Sequence, residues 1–143
     1  MKKFEDLSEI DQYKIRNHIS NLVKLSLVDG KLSKSEVEIL LSICDRYNMP
    51  KQEFVQIMKD GYTTNYIIPS DSYEKLEQIY DFVLLMLADK TMDPKELDLC
   101  KNLCKILRIK DEAINNLILT VIDCIQEDKS FDSEKMNLYA IIQ

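Results

Sequence analysis

The amino-acid sequence predicts an all-α protein, a single-domain bundle of seven or eight helices. The chain has 143 residues but only two glycines and three prolines. A β-rich protein needs turn residues about every ten positions, so this composition favours helices. Apolar residues also recur at helical spacing along most of the chain. The length suits one domain that buries roughly two thirds of the surface exposed by the unfolded chain.

A repeat at an offset of sixty residues indicates how the helices are organised. The stretch from Leu22 to Pro50 recurs without a gap as Phe82 to Lys110. The acidic residues that match are Asp29 with Asp89 and Glu36 with Glu96. A fixed offset is typical of one supersecondary unit used twice. The sequence therefore predicts an internal pseudo-two-fold repeat, with half-repeats at about 8–60 and 70–126 and a closing helix at 133–142.

Three helices are predicted in the first half. Ser8 is a candidate N-cap for a helix that runs to about Val28. The segment Ser33 to Glu36 has the form of a capping box and opens the second helix. Pro50 suits the first turn of a third, shorter helix, which Gly61 ends. The apolar face expected on that third helix consists of Phe54, Val55 and Met58.

The second half repeats this order. A helix begins at Ser70 or Asp71, and Asp93, Pro94 and Glu96 then supply an N-cap, an N1 proline and an N3 glutamate. The cleanest amphipathic pattern starts at Asp111. Its apolar positions are Ile114, Leu117, Ile118, Val121, Ile122 and Ile125.

The charge balance bears on the class of partner. Twenty-five acidic and nineteen basic residues give a formal charge of −6, which repels phosphate backbones and argues against nucleic acid. A protein partner is expected instead. The longest apolar run, Phe82 to Ala88, is far shorter than the ~20 residues that a membrane span needs. No signal-peptide pattern follows Met1, so we expect a cytoplasmic protein without direct membrane insertion.

The paired acidic turns are the one constellation with a chemical interpretation. Clusters of carboxylate oxygens bind hard cations, so Asp29, Glu36, Asp89 and Glu96 are the candidate metal ligands and a divalent cation is the candidate cofactor. The alternative is structural: each aspartate ends one helix and each glutamate is the N3 member of the next helix's capping box. The sequence leaves both readings open.

An ordinary EF-hand is excluded by the residues that precede the first turn. With Gly30 at the sixth position of a calcium loop and Glu36 at the twelfth, the first and third ligand positions fall on Leu25 and Leu27. These positions require oxygen donors. The second copy again has leucines there, and Lys90 replaces the glycine.

The two turns resemble the repeated signature of TerB-like domains. The matching segments are Leu27–Val37 and Leu87–Leu97, and the family's motif falls on the four acidic residues named above. The family includes the bacterial tellurite-resistance protein and a domain of some membrane-linked DnaJ co-chaperones. The resemblance implies an all-helical fold with internal pseudo-symmetry, no enzymatic activity, and a role in metal or chemical stress. The chain departs from the motif at Val28 and Lys90, where the family has alanine and glycine.

The sequence is also compatible with two other functions. An enzyme would need Glu36 and Glu96 to share acid and base duties between the halves. A structural protein without ligand would dimerise through the last helix, whose apolar residues are Met136, Leu138, Tyr139, Ile141 and Ile142. His18, the only histidine, is expected to pack rather than to catalyse. The cysteines lack CxxC pairs and are expected in the core, with a soft-metal pair at Cys100 and Cys104 as the minor alternative.

Overall fold

The computed structural model describes residues 3–27, 31–60, 67–89 and 92–143, and in these parts the protein is all-helical, as predicted. Seven α-helices occur in the described ranges: α1 Glu9–Ser26, α2 Lys34–Arg46, α3 Lys51–Asp60, α4 Ser72–Met86, α5 Pro94–Ile106, α6 Asp111–Gln126 and α7 Phe131–Ile142. Within the same ranges, short 3-10 turns cover Phe4–Asp6 and Leu87–Asp89. The chain forms two compact units, Met1–Ile67 and Ile68–Gln143.

Side-chain caps open most of these helices where the sequence predicts them. The Ser8 hydroxyl accepts a hydrogen bond from the Asp11 amide at 3.1 Å, and Asp71 accepts one from the Glu74 amide. Ser130 caps α7, so that helix begins at Phe131, two residues before the predicted start. Each cap satisfies an amide that has no partner within its helix.

Three helices end in the same way, with a non-glycine residue at positive φ. Asn48, Arg108 and Asp128 have φ values of 57°, 64° and 58°. In each case the next residue's amide donates to the carbonyl of a cysteine five residues earlier, and the donor–acceptor pairs are Met49–Cys44, Ile109–Cys104 and Lys129–Cys124. This is the Schellman arrangement, which satisfies carbonyls at a helix end. The two backbone turns after α2 and α5 lie sixty residues apart.

In the first unit, α1 packs against α2 and α3, and α2 packs against α3. Its buried apolar side chains include Ile19, Leu22, Val23, Leu40, Ile43 and Cys44. The predicted face of α3 is partly wrong: Phe54 is buried, but Val55 is exposed and Ile57 takes the second inward position. Residues 54 and 57 are three apart and so share one helix face, whereas residue 55 is turned away by about 100°.

Arg16 ties α1 to α3. Its Nε and Nη2 atoms donate to the two carboxylate oxygens of Glu53 at 2.9 and 2.8 Å. Nη2 also donates to the Gln12 side chain, and the guanidinium lies 5.2 Å from the ring centroid of buried Phe4. The Arg16 guanidinium lowers the pKa of the Glu53 carboxyl, chiefly through this hydrogen bonding. A bidentate pair of this kind fixes geometry as well as adding charge attraction.

Asn17 forms a hydrogen bond with Ile67, the last residue of the first unit. Its side chain is buried, and its Oδ1 atom accepts hydrogen bonds from the Ile67 amide at 3.0 Å and from Asn21 Nδ2 at 3.2 Å. A buried amide oxygen that is well paired avoids the cost of an unsatisfied polar atom. Asn17 thus ties Ile67, the last residue of the first unit, to α1.

In the second unit, α4 packs against α5, α6 and α7, and α6 also contacts α5 and α7. The core includes Leu76, Ile79, Phe82, Val83, Leu117, Ile118 and Leu138. Tyr80 is buried with them, donates its hydroxyl hydrogen to the Lys129 carbonyl, and meets Phe131 edge to face at 5.7 Å. In the parts of the chain that are described, no helix is both long and apolar enough to cross a membrane.

The prediction of an exposed apolar stripe along α7 is wrong, because the helix does not present these residues as one continuous exposed surface. Leu138 is fully buried, with no exposed area, whereas Met136 is 74% exposed. Tyr139, Ile141 and Ile142 are half-buried. The difference in burial between Met136 and Leu138 follows from the helix period, because residues two apart point about 200° from one another. Leu138 therefore belongs to the core and Met136 to the surface.

We expect Glu53→Gln to lower the free energy of unfolding by about 0.5–1 kcal/mol at neutral pH, because it removes the charge that pairs with Arg16. A carboxyl whose pKa is lowered by folding stabilises above its unfolded pKa, about 4.3, and this contribution disappears as the pH falls through the folded value. The difference between wild type and variant should therefore shrink below about pH 4.

Urea unfolding from pH 3 to pH 7 measures this difference. Glu38→Gln, which changes an exposed glutamate of the same unit, is the matched control and should show a smaller effect at pH 7. A Glu53→Gln deficit that stays constant down to pH 3 would contradict the assigned ion pair.

Candidate functional site

At the first acidic turn, Glu36 is part of the capping box of α2. Its Oε1 atom accepts a hydrogen bond from the Ser33 amide at 2.9 Å, while the Ser33 hydroxyl accepts one from the Glu36 amide at 3.1 Å. The side chain is half-buried. Asp29, the other candidate ligand of this turn, lies outside the described residues. The predicted capping box is confirmed, and its carboxylate oxygen serves the start of the helix.

The second acidic turn has the same bonds at an offset of sixty residues. Glu96 Oε1 accepts from the Asp93 amide at 3.1 Å, and Asp93 Oδ1 accepts from the Glu96 amide at 2.9 Å. Pro94 occupies the first helical position, as predicted. Asp89 is exposed and is the last residue of the 3-10 turn that follows α4. The Ser33 hydroxyl in the first box and the Asp93 carboxylate in the second therefore have the same function, since each accepts a hydrogen bond from the amide three residues later.

These bonds show what the two glutamates do in the structure. The first amides of a helix lack intrahelical partners and carry a partial positive charge, so a carboxylate at N3 stabilises them. Within residues 3–27, 31–60, 67–89 and 92–143, no group of three or more His, Cys, Asp or Glu side chains is placed to hold a metal ion. The assignment of Asp29, Glu36, Asp89 and Glu96 as metal ligands remains a prediction.

His18 packs inside the first unit. Its ring is buried and meets the ring of Tyr47 edge to face, with centroids 5.7 Å apart and an interplanar angle of 75°. This agrees with the packing role expected from the sequence. A buried imidazole against an aromatic edge contributes to the core through dispersion and quadrupole contacts.

All four cysteines are buried and unpaired as thiols. Burial raises the pKa of Cys44 to about 12, and the pKa of Cys124 is also raised, chiefly by burial. The pKa of Cys100 is raised by its hydrogen bond with the neighbouring Cys104 thiol and by burial. Since the thiolate is the nucleophile and the metal ligand, these shifts make Cys44, Cys100 and Cys124 poor at both tasks. They behave as small core residues, as expected.

A surface cluster on the second unit was only partly visible in the sequence. Tyr73 of α4 and Tyr139 of α7 stack with ring centroids 5.0 Å apart and an interplanar angle of 24°. Met136 precedes Tyr139 by three residues, and side chains at this spacing are neighbours on a helix surface. We call Tyr73, Met136 and Tyr139 the tyrosine patch. The residues were identifiable as apolar helix positions, but their contact joins two helices far apart in sequence.

A shallow depression lies along the start of α3. Its volume is about 380 Å³, and it is lined by Pro50, Gln52, Glu53 and Gln56. Glu53 is already paired with Arg16 on one side. Ligand sites are usually enclosed and mostly apolar, so this open polar surface is a poor candidate.

Comparison of the chain with protein-family models, with curated proteins and with solved structures found no match.

The equivalence of the two capping boxes can be tested by exchanging their N-cap residues. We expect Ser33→Ala and Asp93→Ala each to cost about 0.5–2 kcal/mol of stability, because an amide at the helix start loses its acceptor. Ser33→Asp and Asp93→Ser should cost clearly less, since each keeps an oxygen acceptor at the N-cap.

Chemical denaturation of the four variants gives these values, and circular dichroism confirms that each is folded. Equal losses in Ser33→Asp and Ser33→Ala would contradict the capping assignment at the first turn.

Proposed function

We propose that this chain is a non-enzymatic, TerB-like interaction module that acts in the response to metal or chemical stress, in the cytoplasm. The observation that carries the proposal is the tyrosine patch. Met136 is 74% exposed and Tyr73 is 36% exposed, although the opposite faces of α7 and α4 are fully buried. Tyrosine and methionine are enriched at protein interfaces because they offer large contact areas that adapt to a partner.

Two further features support the interaction role over an enzymatic one. The carboxylates of Glu36 and Glu96, the pair that an enzyme would use, both accept hydrogen bonds from their own helix N-caps. The buried thiols of Cys44 and Cys100 have raised pKa values, which disfavours nucleophilic catalysis by them. The carboxylate-based enzyme and the ligand-free dimer remain alternative predictions.

The second part of the proposal is that the two units are copies of one helical unit, related by an internal pseudo-two-fold repeat. Helices α2 and α5 begin and end sixty residues apart, and α3 and α6 begin sixty residues apart. The capping boxes and the positive-φ residues Asn48 and Arg108 keep the same offset. Local structure thus follows the sequence repeat at helix starts and helix ends.

The third part of the proposal is a divalent-cation site at an acidic turn, formed by Asp29 with Glu36 or by Asp89 with Glu96. It is supported by the resemblance of the turns to the TerB-like signature and by the exposure of Asp89. The capping bonds use the Oε1 atom of each glutamate, and a carboxylate has a second oxygen with which to bind a cation. Lys90 places a positive charge directly after Asp89 in the sequence, whereas glycine follows Asp29, so the first turn is the stronger candidate.

The interaction role is tested by photo-crosslinking in the cells that naturally make the protein. A benzophenone amino acid at position 136 should capture a discrete protein, whereas the same group at Asn102, an exposed polar position of α5, should not. Aromatic and methionine anchors at an interface are surrounded by partner atoms, which brings them within reach of the crosslinker.

Captured products that are identical at positions 136 and 102, or absent at both, would contradict the interaction role.

The cation site is tested by titration calorimetry with calcium, magnesium, manganese and zinc. We expect binding heat for at least one cation in the wild type and a loss of affinity of about tenfold or more in Asp29→Asn, since one charged ligand is removed. Asp89→Asn should have the smaller effect.

An absence of heat in the wild type would remove the cation site from the proposal. Binding that persists unchanged in Asp29→Asn and Asp89→Asn combined would place the cation elsewhere.

A further inference from the structure

The net negative charge of this protein comes from one of its two units. Residues 1–67 contain ten acidic and ten basic residues, whereas residues 68–143 contain fifteen acidic and nine basic residues. The whole formal charge of −6 therefore belongs to the second unit. Such an asymmetry creates a field that attracts cationic partners to one unit in preference to the other.

The tyrosine patch lies on that acidic unit and has carboxylates beside it. Glu74 follows Tyr73 directly and is exposed. Asp132 precedes Met136 by one helical turn, and its side chain is 85% exposed. Lys135 is a cation on the same surface of α7. Its Nζ atom lies 3.8 Å from Asp132 Oδ1, and the two side chains form a long, exposed ion pair. The exposed apolar and aromatic side chains of the patch thus belong to a surface that also carries two exposed carboxylates and one lysine.

We propose that the tyrosine patch is the docking surface for a cationic segment of a partner protein that carries arginine. A guanidinium group stacks on tyrosine faces and pairs with carboxylates through a planar fork of donors. The thioether of Met136 accommodates the aliphatic side chains of the same segment. This inference rests on the proposed interaction role and names the class of partner.

Charge also decides between such a partner and a second copy of this chain. A two-fold contact between copies places the same patch on both sides of the interface. Here it would bring together two units that each carry a formal charge of −6. It would also place Glu74 and Asp132 of one copy near the same residues of the other. Like charges at an interface disfavour association, so a cationic partner fits the patch better.

The test uses a fluorescein-labelled amphipathic helical peptide with arginine on one face and leucine on the other, with binding followed by anisotropy at low salt. We expect saturable binding that weakens as salt is added, because exposed charge pairs are screened. A lysine version of the same charge should bind several-fold more weakly, since lysine lacks the planar stacking group. A glutamate version should not bind.

Variants locate the site. Met136→Ser and Tyr73→Ser change exposed side chains and should each weaken binding of the arginine peptide by about tenfold, the effect of losing an interface anchor. Leu119→Ser is the matched control, because Leu119 is an exposed apolar residue of the same unit, 62% exposed on α6. It should leave the affinity unchanged. Circular dichroism and thermal unfolding confirm that the variants are folded.

Three outcomes would overturn the proposal: no binding by the wild type, binding unaffected by Met136→Ser and Tyr73→Ser, or equal loss in Leu119→Ser. Sedimentation velocity that shows a dimer abolished by Met136→Ser would assign the patch to a second copy instead. Crosslinking from position 136 together with failure of the arginine peptide would retain the interaction role and reject only this class of partner.

Discussion

The structure depends on satisfying backbone amides and carbonyls at helix ends in a chain that has almost no glycine. Ser33 and Asp93 provide acceptors at the helix starts, and the carboxylates of the glutamates three residues later accept a hydrogen bond from each N-cap amide. At helix ends, the left-handed position usually taken by glycine is filled by residues such as Arg108. A non-glycine residue there costs about 1–2 kcal/mol, so the two hydrogen bonds of the Schellman turn must offset that cost. Short connections between helices are possible because the backbone amides at helix starts and the carbonyls at helix ends both have hydrogen-bond partners.

The same constraint limits what the acidic turns can do chemically. A carboxylate oxygen that accepts a bond from an N-cap amide is held in one position, and it gains stability from the positive end of its helix. A cation at this position would compete with the helix dipole for the same charge, which favours a site built from the remaining oxygens. In the sequence, Gly30 follows Asp29 at the first turn, whereas Lys90 follows Asp89 at the second. A cation site at either turn would share one glutamate carboxylate with the capping box.

The sequence predicted the parts of the fold that local interactions determine. Helix starts followed from Ser8, Ser33, Asp71 and Asp93, since a cap involves residues three apart. Features that depend on tertiary contact were not visible. Val55 and Ile57 are equally apolar, and only packing against α1 and α2 decides which one faces inward. The Arg16–Glu53 pair joins residues thirty-seven positions apart, and nothing in the local sequence marks these two among the many charges of the chain. The stacked tyrosines were hidden for the same reason.

The division of charge between the units links stability to recognition. The segment from residue 111 onward has seven acidic and two basic residues, so it alone contributes most of the excess. Mutual repulsion among these groups destabilises the compact state slightly, and the buried contacts of Leu138 and Tyr80 hold α7 in place against it. Repulsion between two such units would also oppose self-association through Met136. A cationic partner would relieve the repulsion and cover the methionine at once. Electrostatic relief and apolar burial would therefore favour the same bound state.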